Sequence, residues 1–216
     1  MSFLSQDRLM AIFEYQTEIL IGKHYPEHTG LSIEEFLRLL EPLRHQLHTL
    51  QLQDVDFEKG YLPFAIVISS ELMSAKKMMH LVTYSGKPGI DIMRPKEPED
   101  FQHIPSITIP NKSAYLIVGI DRGRESLNIV PKEAMISITQ KNRSALTIEE
   151  GIALITYYPE FLLKNNCFLL LASRIPNDKR VLAIWINGAK QANLGWCWEG
   201  NPHTWLGSAS CERRVG

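Results

Sequence analysis

Apolar residues recur at helical spacing across residues 5–21, at Leu9, Ile12, Phe13, Ile19 and Leu20, and Gly22 stands where such a helix would stop. A first helix is expected there. In the next stretch, LSIEEFLRLLEPLRHQLHTL, Ser32 is an N-cap candidate, Glu35 completes a capping box, and Phe36, Leu40, Leu43, Leu47 and Leu50 form one stripe. Pro42 is expected to kink or split this second helix. The same opening returns in LTIEEGIALITYYPEFLL, where Thr147 and Glu150 take the roles of Ser32 and Glu35. A capping box plus an apolar stripe is short and common, so we read two helices meeting one requirement rather than a duplicated fold.

Between these helices the period changes. YLPFAIVIS (61–69), MMHLVTY (78–84) and AYLIVGID (114–121) are rich in β-branched and aromatic residues and are bounded by Gly and Pro, which predicts strands. IVPKEAMISITQ predicts a short helix with Pro131 in its first position. After the helix capped by Thr147, Pro159 ends it or starts a short successor. Three further apolar runs, CFLLLA (167–172), RVLAIWI (180–186) and NLGWCW (193–198), are separated by polar turns, and this spacing predicts an antiparallel meander. The order of elements is therefore α+β: a helical N-terminal segment, a central mostly antiparallel sheet, a helical pair and a C-terminal β-meander. We expect a single domain over 1–216, with 1–56 as the helical segment and 57–216 as the α+β core.

Composition narrows the function classes. Lysine plus arginine number 23 against 24 aspartate plus glutamate, so no net field steers the chain onto nucleic acid or an anionic membrane, and neither is expected as a partner. The apolar runs fall far short of the roughly 20 residues that span a bilayer. Cys167, Cys197 and Cys211 are few and odd in number, and MSFLSQDRLMAIF lacks a basic leader with an apolar run. A cytoplasmic location is expected.

Three of the four tryptophans and two of the three cysteines fall in LGWCWEGNPHTWLGSASC, residues 194–211. If 193–198 is a strand, Leu194, Trp196 and Trp198 share one face, while Gly195 and Cys197 share the other. The two indoles then form either a core element or a stacking platform for a planar ligand. Asn201, ahead of Pro202, is placed to cap a turn of helix that ends at Gly207 and carries His203 and Thr204 in its first turn. Free N–H groups at such a start attract anions, with Arg213 and Arg214 able to approach. The small residues around Ser208 let a ligand or a second backbone come close.

Neither a phosphate loop nor a G-x-S-x-G elbow is present, and no motif indicates a cofactor. Cys197, His203 and Cys211 do not have the spacing of a zinc finger or ribbon, so no metal is assigned. The same residues are the candidates for chemistry, because an imidazole beside a thiol lowers its pKa and makes a nucleophile; inert buried cysteines are the alternative. Glu41, His45 and His48 lie opposite Leu43, Leu47 and Leu50, as a solvated helix face would.

At LTIEEGIALITYYPEFLLKNNCFLLLASR, AIWI and LGWCWEGNPHTWLGSASC the chain resembles a bacterial family catalogued only as a domain of unknown function. The resemblance is specific over 145–213, looser over 60–135, and not evident in the first 55 residues. It implies a bacterial soluble protein and brings no catalytic residue. The function expected is a small-molecule-binding or interaction module, for a small molecule or a protein partner, with Trp196, Trp198, Asn201, His203, Trp205 and Ser208 as contacts. The alternative is an enzyme using Cys211 or Cys197 with His203, as a thiol nucleophile or a metal site.

Overall fold

The computed structural model describes residues 3–216. In chain order its elements are α1 (Gln6–Gly22), α2 (Tyr25–Thr29), α3 (Ile33–Leu47), β1 (Tyr61–Ile68), α4 (Ala75–Leu81), β2 (Thr83–Tyr84), β3 (Lys87–Pro88), β4 (Ile90–Asp91), β5 (Gln102–His103) and β6 (Ala114–Asp121). They continue with α5 (Pro131–Gln140), β7 (Ser144–Ala145), α6 (Ile148–Tyr157), β8 (Cys167–Leu170), β9 (Ser173–Arg174), β10 (Arg180–Ile186), β11 (Ala192–Trp198), β12 (Leu206–Ser208), β13 (Ser210–Cys211) and β14 (Arg213–Val215). The fold class is α+β.

Where one central sheet and a closing meander were expected, the described residues form two five-stranded sheets, besides the two-stranded pairs β2–β3 and β5–β9. The first runs β1-β6-β13-β7, with β14 also on β6, and its pairs are antiparallel. The second runs β12-β8-β10-β11-β4. Its inner three strands are the expected meander, but both outer strands, β12 on β8 and β4 on β11, join in parallel. Those additions come from chain segments distant in sequence, which hairpin spacing does not reveal.

Both capping boxes form, at Ser32/Glu35 and at Thr147/Glu150. Helix α5 starts at Pro131, where the missing N–H costs nothing. Pro42 does not split α3: it and Arg38, whose carbonyl it frees, lie on the exposed face of the helix, where the lost bond is cheapest. His45 pairs with Glu41 at 3.4 Å on that solvated face. The strand expected over 78–84 is instead mostly helix α4, because Ser74 caps it by accepting from the Lys77 N–H, and Met78 and Met79 then face the core together.

Helix α6 lies between the sheets, contacting β1 and seating Gly151 against Leu170 of β8. The outer edge of β1 is closed by side chains: the Gln16 amide of α1 donates to the Phe64 carbonyl and accepts from the Ile66 N–H, and the Tyr157 hydroxyl donates to the Ile66 carbonyl. An edge so occupied cannot template another strand. One continuous cluster of buried apolar residues joins the N-terminal helices, both sheets and α6. No helix among the described residues is long and apolar enough to cross a membrane.

Candidate functional site

The β10–β11 hairpin sets the geometry of the tryptophan segment. Its register places Arg180 opposite Trp198 and Leu182 opposite Trp196, so Arg180, Trp196 and Trp198 occupy one face. The two indole rings meet edge to face with centroids 5.4 Å apart, and the Arg180 guanidinium lies 4.5 Å from the Trp196 ring and 5.0 Å from that of Trp198. Asp178 fixes the arginine, accepting from Nη1 at 2.6 Å. The expected platform is thus stacked from within by a cation of the same chain. Trp196 is half-buried and donates its indole N–H to the Met93 carbonyl at 3.0 Å, whereas Trp198 is 44% exposed.

His203 and Trp205 belong to a second group. Trp205 packs edge to face on Trp185 at 6.2 Å and on His203 at 5.6 Å. Trp185 stands opposite Asn193 and therefore shares the Cys197 face of the sheet, away from Trp196 and Trp198. Its ring lies over Gly195, where an added Cβ would come within 2.4 Å of the indole. Burial lowers the pKa of His203, and its Nε2 has no hydrogen-bond partner among the described residues. The six expected contact residues therefore do not converge on one concavity.

The helical turn expected from Pro202 to Gly207 does not form. Cys167 donates its N–H to the Trp205 carbonyl, and Leu206–Ser208 continue as β12 along β8, so a long-range parallel pairing takes the backbone that a local turn would have used. With no helix there, the anion site imagined at its start is lost. Asn201 remains exposed in a turn, donating its N–H to the Trp198 carbonyl. Ser208 is buried; its N–H donates to the Ser126 hydroxyl and its own Oγ has no partner among the described residues.

The thiols are placed for packing. Burial pushes Cys197 up to about 12, and burial with the neighbouring Glu150 carboxylate pushes Cys211 up to about 12. Neither sulfur is hydrogen-bonded to the His203 ring, and among the described residues no group of three or more His, Cys, Asp or Glu is arranged to hold a metal ion. With both thiols protonated at neutral pH, a thiol reagent at pH 7 is expected to label the native chain far more slowly than the denatured chain. Timed alkylation followed by mass spectrometry measures this, and rapid native labelling of Cys197 or Cys211 would contradict the burial argument.

Sequence reasoning missed a buried ion pair. Glu150, read only as a capping residue, is wholly buried; besides accepting from the Thr147 N–H, it takes Arg214 Nε at 2.5 Å and Nη2 at 2.8 Å, with the Tyr115 hydroxyl donating at 3.0 Å. Burial pulls the Arg214 pKa down, but the adjacent carboxylate outweighs it and keeps the guanidinium charged. Tyr115 is raised by burial and by that carboxylate, so its hydroxyl stays protonated as the donor. Two clefts flank the network. One, of about 570 Å³, opens beside Tyr115, Thr147 and Glu149; the other, of about 440 Å³, opens beside Ser144 and Arg214. Neither is lined by tryptophan.

A family described as "Family of unknown function (DUF5701)" matches over residues 19–216. No curated protein and no solved structure matches the chain.

Proposed function

The chain belongs to this family of unknown function, and we propose that it is an interaction module that binds a protein partner through the Trp198–Arg180–Trp196 surface. The observation that carries this reading is Trp198, an exposed indole held rigid by an arginine that is itself fixed by Asp178. Tryptophan and arginine dominate binding hot spots, and an anchor already ordered in the free protein loses little entropy on association. The indole faces are already stacked on the chain's own cation, which suits a protein partner better than a planar small molecule that would need a free ring face. Its surroundings are polar: Arg174 is hydrogen-bonded to the Glu199 carboxylate, as the rim of such a patch requires. We place this role in a bacterial cytoplasm, a reading supported by the family resemblance and by three cysteines in the thiol form. The thiol-nucleophile alternative draws no support from the geometry, since both candidate sulfurs are protonated and apart from the His203 ring.

Selection of a random peptide library on the immobilised full chain is expected to yield ligands that lose at least about tenfold in affinity with Trp198→Ala. That variant is expected to cost under about 1 kcal/mol of stability. Trp196→Ala should cost about 2–3 kcal/mol, somewhat below the range for a wholly buried tryptophan. Peptides that bind Trp198→Ala unchanged would remove this surface from consideration. An indole emission that responds to planar small molecules and to no peptide would replace the protein partner with a ligand platform.

A further inference from the structure

The 440 Å³ cleft is walled by the end of α5, the β7 strand, β14 and the loop carrying Thr108. Among the described residues, its lining includes Arg143, Arg213 and Arg214 and no carboxylate. The Arg143 side chain is only 18% exposed and is held by neutral oxygens: Nε donates to Ser210 Oγ at 2.8 Å, and Nη2 to the Gly119 and Ser210 carbonyls at 2.5 and 3.2 Å. Its Nη1 has no hydrogen bond among the described residues; the nearest carboxylate oxygen, on the half-exposed Glu212, is 3.9 Å away. A largely desolvated guanidinium with one unspent edge is a preorganised anion donor.

Hydroxyls complete the wall. Ser144 Oγ accepts from Arg214 Nη1 at 2.6 Å, which leaves its own proton free to donate. Thr108 has no hydroxyl partner among the described residues, whereas Thr139 is spent on the Met135 carbonyl. Glu150 neutralises Arg214 from behind and Glu212 stands near Arg143, so the positive charge left uncompensated at the cleft is that of the exposed Arg213. Arg143, Ser144 of β7 and Thr108 of the 106–110 loop offer three donors, one for each terminal oxygen of a phosphoryl group, where a carboxylate has only two oxygens to use. The volume exceeds that of a bare phosphate, and Ile107, Pro110 and Met135 supply apolar wall for a ligand body.

We infer that this cleft binds a small phosphorylated molecule, with its phosphoryl group on Arg143 Nη1, Ser144 and Thr108. The test is isothermal titration calorimetry of the full chain with inorganic phosphate, phenyl phosphate and benzoate at constant ionic strength, so that general screening does not differ between ligands. Phenyl phosphate is expected to bind at one site in the millimolar range or tighter, more tightly than inorganic phosphate, with benzoate weaker. Arg143→Lys, which keeps the charge but loses the fork, should weaken phenyl phosphate at least about tenfold. Thr108→Val, at an exposed position where folding is not at stake, should weaken it several-fold. If Arg143→Lys does not fold, Thr108→Val and Arg213→Gln decide the matter. Absence of saturable heat, benzoate binding as tight as phenyl phosphate, or affinities unchanged in the variants would each overturn the assignment.

Discussion

Replacing Arg214 by methionine is expected to destabilise the protein by about 3–5 kcal/mol, because the substitution strands a charge rather than merely deleting a contact. The Glu150 side chain is wholly buried and that of Arg214 is 4% exposed, so water cannot replace the lost partner. The carboxylate would keep only the Tyr115 hydroxyl and the Thr147 N–H, while Ser144 and the Ala145 carbonyl would lose their donor. Urea denaturation followed by circular dichroism measures the loss. The mechanism makes a second, sharper claim: adding Glu150→Gln to Arg214→Met should restore part of the stability, since the neutral amide no longer needs a cation. A double variant as unstable as the sum of the two single variants would show that the stranded charge is not the cause. The network also joins β14 to α6, so its loss should loosen the floor of the arginine-lined cleft together with the fold.

What was legible in the sequence was local. The box residues Ser32, Glu35, Thr147 and Glu150 fixed two helix starts, Pro131 fixed a third, and the apolar runs at 61–69, 114–121 and 180–186 gave strands at those places. Alternation correctly put Trp196 and Trp198 on one face and Cys197 on the other. The failures share a physical cause. Residues 78–84 were misread because a short apolar run carries no decisive period, and the Ser74 cap that settled the matter lay outside it. The 202–207 turn was lost to a parallel pairing with β8 that no local signal announces. Arg214 meets Glu150 across 64 residues of chain, and Arg143 reaches Ser210 across 67. Arg180 was out of reach for a smaller reason: the hairpin is centred on Ala189, within a five-residue loop, whereas counting from the turn signal at Asn187 and Gly188 would have set Arg180 opposite Gly195 instead of Trp198.

Gly123→Ala is the other change expected to be severe, at roughly 2–5 kcal/mol. Gly123 follows β6 with φ of 84°, a left-handed conformation that costs an L-residue about 1–2 kcal/mol. An added Cβ would also lie 2.2 Å from the Ser208 carbonyl oxygen and 2.5 Å from its nitrogen, and backbone so placed cannot rotate away as a side chain could. Overpacking of this kind adds about 1–3 kcal/mol. The contact ties the two sheets together: the Gly123 carbonyl accepts from Ser126 Oγ, which in turn accepts from the Ser208 N–H of β12. Forcing the strands apart should therefore detach β12 first and disturb Trp205, whose carbonyl anchors to Cys167 just before it. Gly200→Ala is the control, since its backbone is unstrained and nothing lies within 4 Å of the new methyl group; it should shift stability by less than about 0.5 kcal/mol. Thermal unfolding of both variants, with indole emission recorded alongside, separates the outcomes. Equal stability would mean that the β6–β12 junction has slack, and the rigid placement of the C-terminal strands would have to come from elsewhere.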